Sequence, residues 1–268
     1  MQLSYTTLSV PDKTLQQAVE VAKKYALEGI ELRGKGYVHL SPECDPAYRA
    51  EAKKMIWGAG LKIPCITAYT CFAQPSLSRI QEQLEILKGY IELCEEMGAT
   101  SIRTFMGVYP QENAIEETEK IIVEGLQRAA ELLTQSEVRL LIETHDSMQS
   151  GRQLEPILRQ VDERVGVLLD VVHPYRIGES VQETIQRIGR RIHHVHIKDV
   201  YQILPDGCCY SPIGAGLMPV RETVSALESA GYQGFYSLEW EKSVANTKGV
   251  SFREQMESFV AYMRRMEK

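Results

Sequence analysis

The sequence predicts an α/β fold, a single (βα)8 barrel over residues 1–268. Eight short runs of β-type composition alternate with eight amphipathic runs along the chain. The length of 268 residues is close to the about 250 residues typical of such barrels. No Gly/Ser-rich linker, long charge run or low-complexity stretch divides the chain. An open doubly wound sheet is the structural alternative, but the first strand-to-helix junction lacks the GxGxxG turn that often marks a nucleotide-binding sheet.

The strand assignments rest on short apolar and β-branched runs bounded by turn-forming residues. In chain order, we predict strands at residues 3–9, 29–34, 63–70, 101–107, 138–145, 165–172, 192–200 and 234–242. The helix assignments rest on apolar residues at intervals of three and four, as at Leu84, Leu87 and Ile91. In chain order, we predict helices at residues 14–27, 46–59, 77–97, 113–134, 153–160, 181–190, 218–230 and 252–266.

Helix-start and helix-stop residues support several of these boundaries. Ser76 precedes a charged first turn, as an N-cap residue does. Gly60, Gly98 and Gly231 stand where helices are expected to end before the next strand. A long connection rich in turn-forming residues, 201–216, is predicted as a loop that covers or shapes the carboxyl end of the barrel, or as a passive surface loop.

The composition excludes several classes of function. A net charge of -6 and a pI near 5.6 provide no basic field for nucleic acid. The six cysteines form no CxxC pair, so we expect buried or partly buried thiols. No signal peptide and no apolar run of membrane-spanning length is recognisable, so we expect a cytoplasmic protein without a membrane partner.

Four segments near strand ends place ionisable side chains where Val or Ile is normally buried. The residues concerned are Glu143, Asp170, His196 and Glu239. Side chains of a barrel strand alternate between the lumen and the helix layer, and the helix-facing side is apolar. This alternation directs the following residues inward: Glu31, Arg33, Arg103, Glu143, His145, Asp170, His194, His196, Lys198, Ser237, Glu239 and Glu241. His173 breaks the alternation and is expected in the loop after the sixth strand.

The inward residues lie mostly at the carboxyl ends of their strands, where barrel enzymes assemble active sites. Three carboxylates and one imidazole, from Glu143, Asp170, Glu239 and His196, suit one divalent metal ion, with Mn²⁺, Mg²⁺ or Co²⁺ preferred and Zn²⁺ possible. Such an ion can chelate a hydroxy-carbonyl substrate and stabilise an enediolate. Glu143 and Glu239 could then act as general base and acid. Two bases on opposite faces permit epimerisation, whereas one base that moves a proton between carbons gives isomerisation.

Five further residues are predicted to bind the hydroxyl, carboxylate or phosphate groups of the substrate. They are His173, Lys198, Arg103, His145 and Arg33. Structural roles remain open for four of them. His145 could brace Glu143 or Glu239, and Lys198 could pair with Glu241 or Asp170. Arg33 and Arg103 could balance Glu31. We expect His194 to be structural, His193 to face outward and His39 to be solvated.

The motifs from residue 138 to residue 242 resemble those of the xylose isomerase-like barrel superfamily, in particular its sugar phosphate isomerase/epimerase group. That group includes ketose 3-epimerases, inosose dehydratases and hydroxypyruvate isomerases. The resemblance implies that Glu143, Asp170, His196 and Glu239 are the metal ligands from the fifth to eighth strands. It also implies acid/base roles for the two glutamates and substrate binding for His173.

This chain differs from other members of the superfamily at two places. Endonuclease IV-type proteins share the Asp170-x-x-His173 motif, but this chain lacks the further histidines of their three-zinc cluster. Relatives often have Gly-Glu-Gly after the seventh strand, where this chain has Gly214-Ala215-Gly216. The sequence thus predicts a metal-dependent isomerase or epimerase of a small sugar, sugar phosphate or related polyol ketone. A homodimer is compatible with this prediction. A dehydratase of inosose or dehydroshikimate type on the same site, and a non-catalytic sugar-binding protein, are the alternatives.

Overall fold

The computed structural model describes residues 1–35, 39–204, 207–241 and 250–267. Eight parallel strands form one sheet in the spatial order β1-β10-β7-β6-β5-β4-β3-β2, and β8 and β9 form a separate antiparallel pair. The strands are β1 (Gln2–Tyr5), β2 (Leu32–Arg33), β3 (Ile66–Cys71), β4 (Ser101–Phe105), β5 (Arg139–Glu143), β6 (Val165–Asp170), β7 (Ile192–Ile197), β8 (Val200–Leu204), β9 (Gly207–Tyr210) and β10 (Phe235–Leu238).

The two outer strands of the eight-stranded sheet meet each other and close the barrel. The Glu31 amide donates to the Tyr5 carbonyl at 2.9 Å, and the Thr7 amide donates to the Glu31 carbonyl at 2.9 Å. An isolated parallel bridge joins Thr6 to Glu31 at the same place. The predicted barrel is therefore confirmed, although its second strand is shorter than the predicted 29–34. The end of the predicted eighth strand, residue 242, lies outside the described residues.

Helices cover the outside of the sheet. They are α1 (Leu15–Lys24), α2 (Pro46–Gly58), α3 (Leu77–Met97), α4 (Ile115–Leu132), α5 (Gly151–Leu158), α6 (Val172–Arg176), α7 (Val181–Ile188), α8 (Val220–Ser229) and α9 (Phe252–Met266). The eight predicted helices all occur, and α3 and α9 have the predicted bounds. The short helix α6 was not predicted, and it replaces the loop in which His173 was expected.

The predicted stop and start signals act as expected. The Ser76 hydroxyl accepts the Arg79 amide at the start of α3. Gly98 ends the same helix with φ of 71°, and Gly60 and Gly231 follow α2 and α8 with φ of 73° and 84°. These left-handed conformations are disfavoured for residues with a Cβ atom.

The barrel has an apolar layer outside its sheet and a polar lumen. Ile142, Val195 and Leu238, which the alternation directs outward, are fully buried between strands and helices. Glu31 and His194 are also buried, at 0% and 1% exposure, but they point into the lumen. The alternation of strand side chains thus predicts correctly which face each of these residues occupies.

The prediction of a single loop over residues 201–216 is wrong in part. β8 and β9 form a hairpin in which Val200 pairs with Tyr210 and Leu204 pairs with Gly207. Residues 205 and 206 lie outside the described residues. The sequence did not reveal the hairpin because Pro205, Asp206 and Gly207 are residue types found in any turn-rich loop.

Asp199 organises the chain that follows this hairpin. Its carboxylate accepts the amides of Val200 at 2.8 Å, Gly214 at 2.9 Å, Gly216 at 3.0 Å and Met218 at 3.0 Å. A Cβ atom at Gly216 would lie 2.3 Å from the Asp199 carboxylate, so glycine is needed for this close approach. The Gly214-Ala215-Gly216 segment is therefore a backbone cradle for one buried carboxylate.

We expect Asp199→Asn to destabilise the fold by about 3 kcal/mol, because an amide cannot accept all four backbone N–H groups. Asp162→Asn is the matched control, since the Asp162 side chain is 45% exposed and pairs with Arg164. Its free energy of unfolding should change by less than about 1 kcal/mol. Urea denaturation measures both values, and equal stability of the two variants would contradict the role of Asp199.

Two other predictions can be compared with the structure. The six cysteines, all within the described ranges, are thiols as predicted, and five of them are buried. None of the helices in the described ranges has the length and apolar character that crossing a bilayer requires.

Candidate metal centre

Four predicted residues converge at the carboxyl end of the barrel. Glu143 ends β5, Asp170 ends β6, His196 lies in β7 and Glu239 directly follows β10. One potential ligand atom from each lies within 4.8 Å of those of the other three. Their exposures are 2%, 0%, 1% and 5% in the same order. The parallel register, which places Asp170 opposite His196, brings these distant parts of the chain together.

The His196 ring is oriented so that one nitrogen is held and the other faces the carboxylates. Nε2 lies 2.9 and 3.1 Å from the two Glu31 carboxylate oxygens. An ionised carboxylate only accepts hydrogen bonds, so a neutral His196 carries its proton on Nε2. Nδ1 then presents a lone pair toward Glu143 Oε1 at 3.4 Å and Glu239 Oε2 at 3.3 Å. This arrangement fixes a ligand-competent tautomer, as is usual for metal-binding histidines.

The chemistry of this donor set fits a cation. Within the described residues, the buried Nδ1 of His196 has no hydrogen bond of good geometry. A buried polar atom without a partner is costly, and a metal ion would resolve that cost. Three carboxylates surround this atom, and the permanently charged side chains of Arg103 and Lys198 pair with them. Burial opposes a charge on His196, but Glu31 and Glu239 raise its pKa well above the usual value. A metal ion would therefore take the place of the Nδ1 proton.

Lys198 and Arg103 keep the carboxylates ionised. Lys198 Nζ lies 2.6 Å from Asp170 Oδ2 and 2.5 Å from Glu239 Oε2. Burial opposes ionisation of Glu239, but Lys198 and His196 hold its pKa well below the usual range. Burial likewise opposes the charge on Lys198, yet Asp170 and Glu239 raise its pKa well above the usual value. Arg103 Nε lies 3.2 Å from Glu143 Oε2 and lowers the pKa of that buried carboxyl.

A second cluster lies deeper in the lumen, around Glu31. Its carboxylate accepts hydrogen bonds from His194 at 2.8 Å, from His196 and from the Ser237 hydroxyl at 2.7 Å. Glu31, His194 and His196 also have the spacing of a metal site. Because the Glu31 carboxylate already accepts hydrogen bonds from both rings and from Ser237, we assign the cluster to holding His196. The alternative that Arg33 and Arg103 balance Glu31 is wrong, whereas the structural role predicted for His194 fits its hydrogen bond.

Two histidines form one wall next to the four residues. His173 Nε2 lies 3.5 Å from Asp170 Oδ2, and the rings of His173 and His145 are 4.5 Å apart. His145 Nδ1 lies 2.7 Å from Asp146 Oδ1. This ring nitrogen therefore pairs with Asp146. The alternative in which His145 braces Glu143 or Glu239 does not agree with this contact. Burial disfavours protonation of His145, but the hydrogen bond with Asp146 and the charges of Glu143, Asp146 and Asp170 together raise its pKa.

An open cleft of about 320 Å³ leads to these groups. Its size suits a small molecule. Four of the five residues predicted to bind substrate line it, namely Arg33, Arg103, His145 and Lys198, and so do the aromatic rings of Tyr69 and Phe105. The sequence analysis did not identify these two rings. The alternation could have identified Phe105, which lies two residues after the inward-facing Arg103 in β4.

His39 was expected to be solvated, but it is fully buried. Its Nε2 lies 3.0 Å from the Lys13 carbonyl oxygen. The prediction failed because a contact with a residue 26 positions away is not visible in the local sequence.

The fold and the site together define a closed α/β barrel with a carboxylate-and-imidazole ligand set at the carboxyl ends of its strands. This chain belongs to the xylose isomerase-like TIM barrel family, whose model matches residues 19–262. The resemblance inferred from the sequence is thereby confirmed.

Curated relatives include enzymes of two kinds. The chain is 25% identical over 199 residues to an inosose dehydratase of Geobacillus thermodenitrificans, a match that covers 62% of this chain and 65% of that protein. It is 29% identical over 103 residues to a fructoselysine 3-epimerase of Escherichia coli O157:H7, covering 37% of this chain and 35% of that protein. The chain thus matches less than two thirds of the length of either relative.

Solved structures match over the whole length of the chain. The IolI protein with a bound zinc atom gives a TM-score of 0.82 at 18% identity, covering 99% of each chain. A D-tagatose 3-epimerase-like protein gives a TM-score of 0.80 at 16% identity, covering 100% of this chain and 97% of the other. At these identities the likeness supports the fold.

Proposed function

We propose that this protein is a divalent-metal-dependent isomerase or epimerase of a small sugar, sugar phosphate or related polyol ketone. The observation that carries the proposal is the convergence of Glu143, Asp170 and Glu239 on the Nδ1 atom of His196. The epimerase among the relatives supports this class of reaction. A binding protein would have no need of two ionised glutamates that flank the same cleft.

Glu143, Asp170, His196 and Glu239 would hold the metal. Their oxygen-rich donor set favours Mn²⁺, Mg²⁺ or Co²⁺, and the zinc-bound IolI structure supports a divalent ion in this type of barrel. When bound, the ion would act as a Lewis acid that stabilises negative charge developing on substrate oxygens. The protein's own contribution is to hold four ligands in a buried, pre-oriented arrangement.

The proton transfers are assigned to Glu143 and Glu239. Arg103 and Lys198 keep these carboxylates ionised, so each can accept a proton from carbon. β5 and β10 are separated by β6 and β7 in the sheet, so the two carboxylates approach the cleft from different sides. For epimerisation, one ionised glutamate would remove the proton from one face of the carbon and keep it, and the other, after taking up a proton from solvent, would deliver that proton to the opposite face. Lys198, His145 and His173 would bind substrate oxygens along the wall.

A dehydratase is the second candidate, because the inosose dehydratase matches a longer stretch of this chain than the fructoselysine epimerase does. Dehydration begins with the same proton removal but also requires an acid for the departing hydroxyl. His145 suits that role, since it lines the cleft and Asp146 raises its pKa. The two candidates therefore differ in what happens after the first proton transfer.

Deuterium exchange distinguishes these candidates. Chelator-treated protein, reloaded with Mn²⁺ or Mg²⁺, is incubated in D₂O with ketoses, their phosphates and inososes. We expect metal-dependent incorporation of deuterium without loss of water, detected by mass spectrometry. A dehydrated product would favour the second candidate, and the absence of exchange with every compound would contradict both.

A further inference from the structure

We infer that the substrate carries an anionic group, a carboxylate or a phosphate, which binds Arg33 and Lys35 beside the ring of Tyr69. This inference rests on the proposed function because it concerns the substrate of the same cleft. It narrows that substrate from carbohydrates in general to acids or phosphate esters.

Three cations surround one aromatic ring at the wall of the cleft. From the centre of the Tyr69 ring, Lys35 Nζ lies 4.7 Å away, Arg103 Cζ 5.0 Å and Arg33 Cζ 5.9 Å. The ring attracts each cation only weakly. Because Glu143 already pairs with Arg103, the charges that an anion could compensate here are those of Arg33 and Lys35.

Arg33 differs from the other cations of the cleft in its partners. Arg103 pairs with Glu143, and Lys198 pairs with Asp170 and Glu239. The Nε atom of Arg33 donates to the neutral Tyr69 hydroxyl at 3.1 Å. Across the described ranges, Arg33 forms no ion pair, not even with Glu241, which lines the same cleft. Its charge is therefore available to a ligand.

The segments that the structure does not describe contribute little negative charge. By sequence, residues 36–38, 205–206, 242–249 and 268 contain one acidic side chain, Asp206, and three lysines. They hold no excess of acid that could neutralise this part of the protein.

The backbone around Arg33 is fixed before any ligand arrives. The Arg33 amide donates to the Thr7 hydroxyl at 2.9 Å, and the Gly34 amide donates to the Thr67 carbonyl at 3.0 Å. The Tyr90 hydroxyl donates to the Gly34 carbonyl. A Cβ atom at Gly34 would lie 2.7 Å from the Tyr90 ring and 2.8 Å from the Thr67 carbonyl oxygen. Glycine thus lets this segment lie against β3, with Arg33 and Lys35 on either side.

This geometry suits an oxyanion better than a hydroxyl group. A guanidinium can donate two parallel hydrogen bonds to a carboxylate or phosphate, and an ammonium adds a compact positive charge. The Nε of Arg33 is already engaged with Tyr69, so its terminal amino groups remain for the ligand. The anionic group would lie at the wall of the cleft, and the carbonyl would extend toward Glu143 and Glu239.

Binding measurements on the manganese-loaded protein test this inference. Isothermal titration calorimetry compares fructose with fructuronate and fructose 6-phosphate, which differ only at carbon 6. It also compares the cyclic ketones 2-keto-myo-inositol and 3-dehydroshikimate, of which only the second is an acid. We expect at least one anionic compound to bind about tenfold more tightly than its neutral counterpart, since charge-assisted hydrogen bonds are the stronger kind. Comparison of the carboxylate compounds with the phosphate compound identifies which oxyanion the site prefers.

Arg33→Gln should weaken binding of the preferred anion about tenfold and weaken binding of the neutral compound far less. Arg33→Lys should restore part of the loss. Arg253→Gln is the control, because Arg253 is 75% exposed on α9. Equal affinity for neutral and anionic compounds, or an equal effect of Arg33→Gln on both, would overturn the inference.

The binding and exchange measurements test the anion site and the proposed enzymatic function separately. Deuterium exchange with neutral ketoses alone would overturn the anionic substrate but keep the enzymatic role. Selective, Arg33-dependent anion binding without proton exchange in any compound would keep the anion site and contradict the enzymatic role.

Discussion

Replacing Glu143 or Glu239 by Gln is expected to reduce metal-dependent proton exchange by about a hundredfold or more, as is typical when a general acid or base is lost. Glutamine has nearly the same shape but cannot take up a proton from carbon. Both side chains are buried, and Arg103 and Lys198 hold them ionised. Each substitution therefore removes a proton acceptor and leaves the surrounding packing in place. The exchange rate in D₂O, at saturating Mn²⁺, measures the effect.

Because Glu143 and Glu239 are also assigned as metal ligands, manganese affinity is measured in parallel. Glu241→Gln is the matched control, since Glu241 lines the same cleft but does not belong to the group of four. The exchange rate of the Glu241→Gln variant should fall by less than about tenfold, because Glu241 is assigned neither to metal binding nor to proton transfer. Full activity of Glu143→Gln or Glu239→Gln with metal bound would refute the acid/base assignment.

Glu31→Gln is expected to weaken manganese binding by about 10-fold to 100-fold, as found when the group that orients a metal-binding histidine is changed. The Glu31 carboxylate requires the His196 proton to be on Nε2. A glutamine amide can instead donate to Nε2, which moves the proton to Nδ1 and blocks the ligand atom. The effect thus acts through the tautomer of His196, without any contact between Glu31 and the metal.

Calorimetric titration with Mn²⁺ measures this loss. Ser237→Ala provides the comparison, since it removes one hydrogen bond to the same Glu31 carboxylate but leaves its two acceptor oxygens for His196. It should weaken metal binding less than Glu31→Gln does. Circular dichroism checks that both variants fold. Unchanged manganese affinity in a folded Glu31→Gln variant would show that Glu31 does not set the tautomer.

The four-residue site could be predicted because strand side chains alternate with a period of two. Once Val195 and Ile197 are assigned to the helix layer, His196 must face the lumen. The barrel topology then brings the carboxyl ends of β5, β6, β7 and β10 together without any knowledge of side-chain contacts. Local pattern and general topology were therefore sufficient for Glu143, Asp170, His196 and Glu239.

The partners of these residues could not be predicted in the same way. Glu31 binds His196 across 165 positions of sequence, and alternation alone does not say which inward groups touch. It therefore left Arg33 and Arg103 as candidate partners of Glu31, whereas His194 and His196 are the actual ones. The fixed position of Arg33 beside Tyr69 depends on the register of β2 and β3, which only the structure provides.

The position of the metal is the central claim, and anomalous scattering from crystals soaked in Mn²⁺ tests it most directly. We predict one anomalous peak, about 2 Å from ligand atoms of Glu143, Asp170, Glu239 and His196 Nδ1. A peak held instead by Glu31, His194 and His196, or no peak within the barrel, would contradict the account.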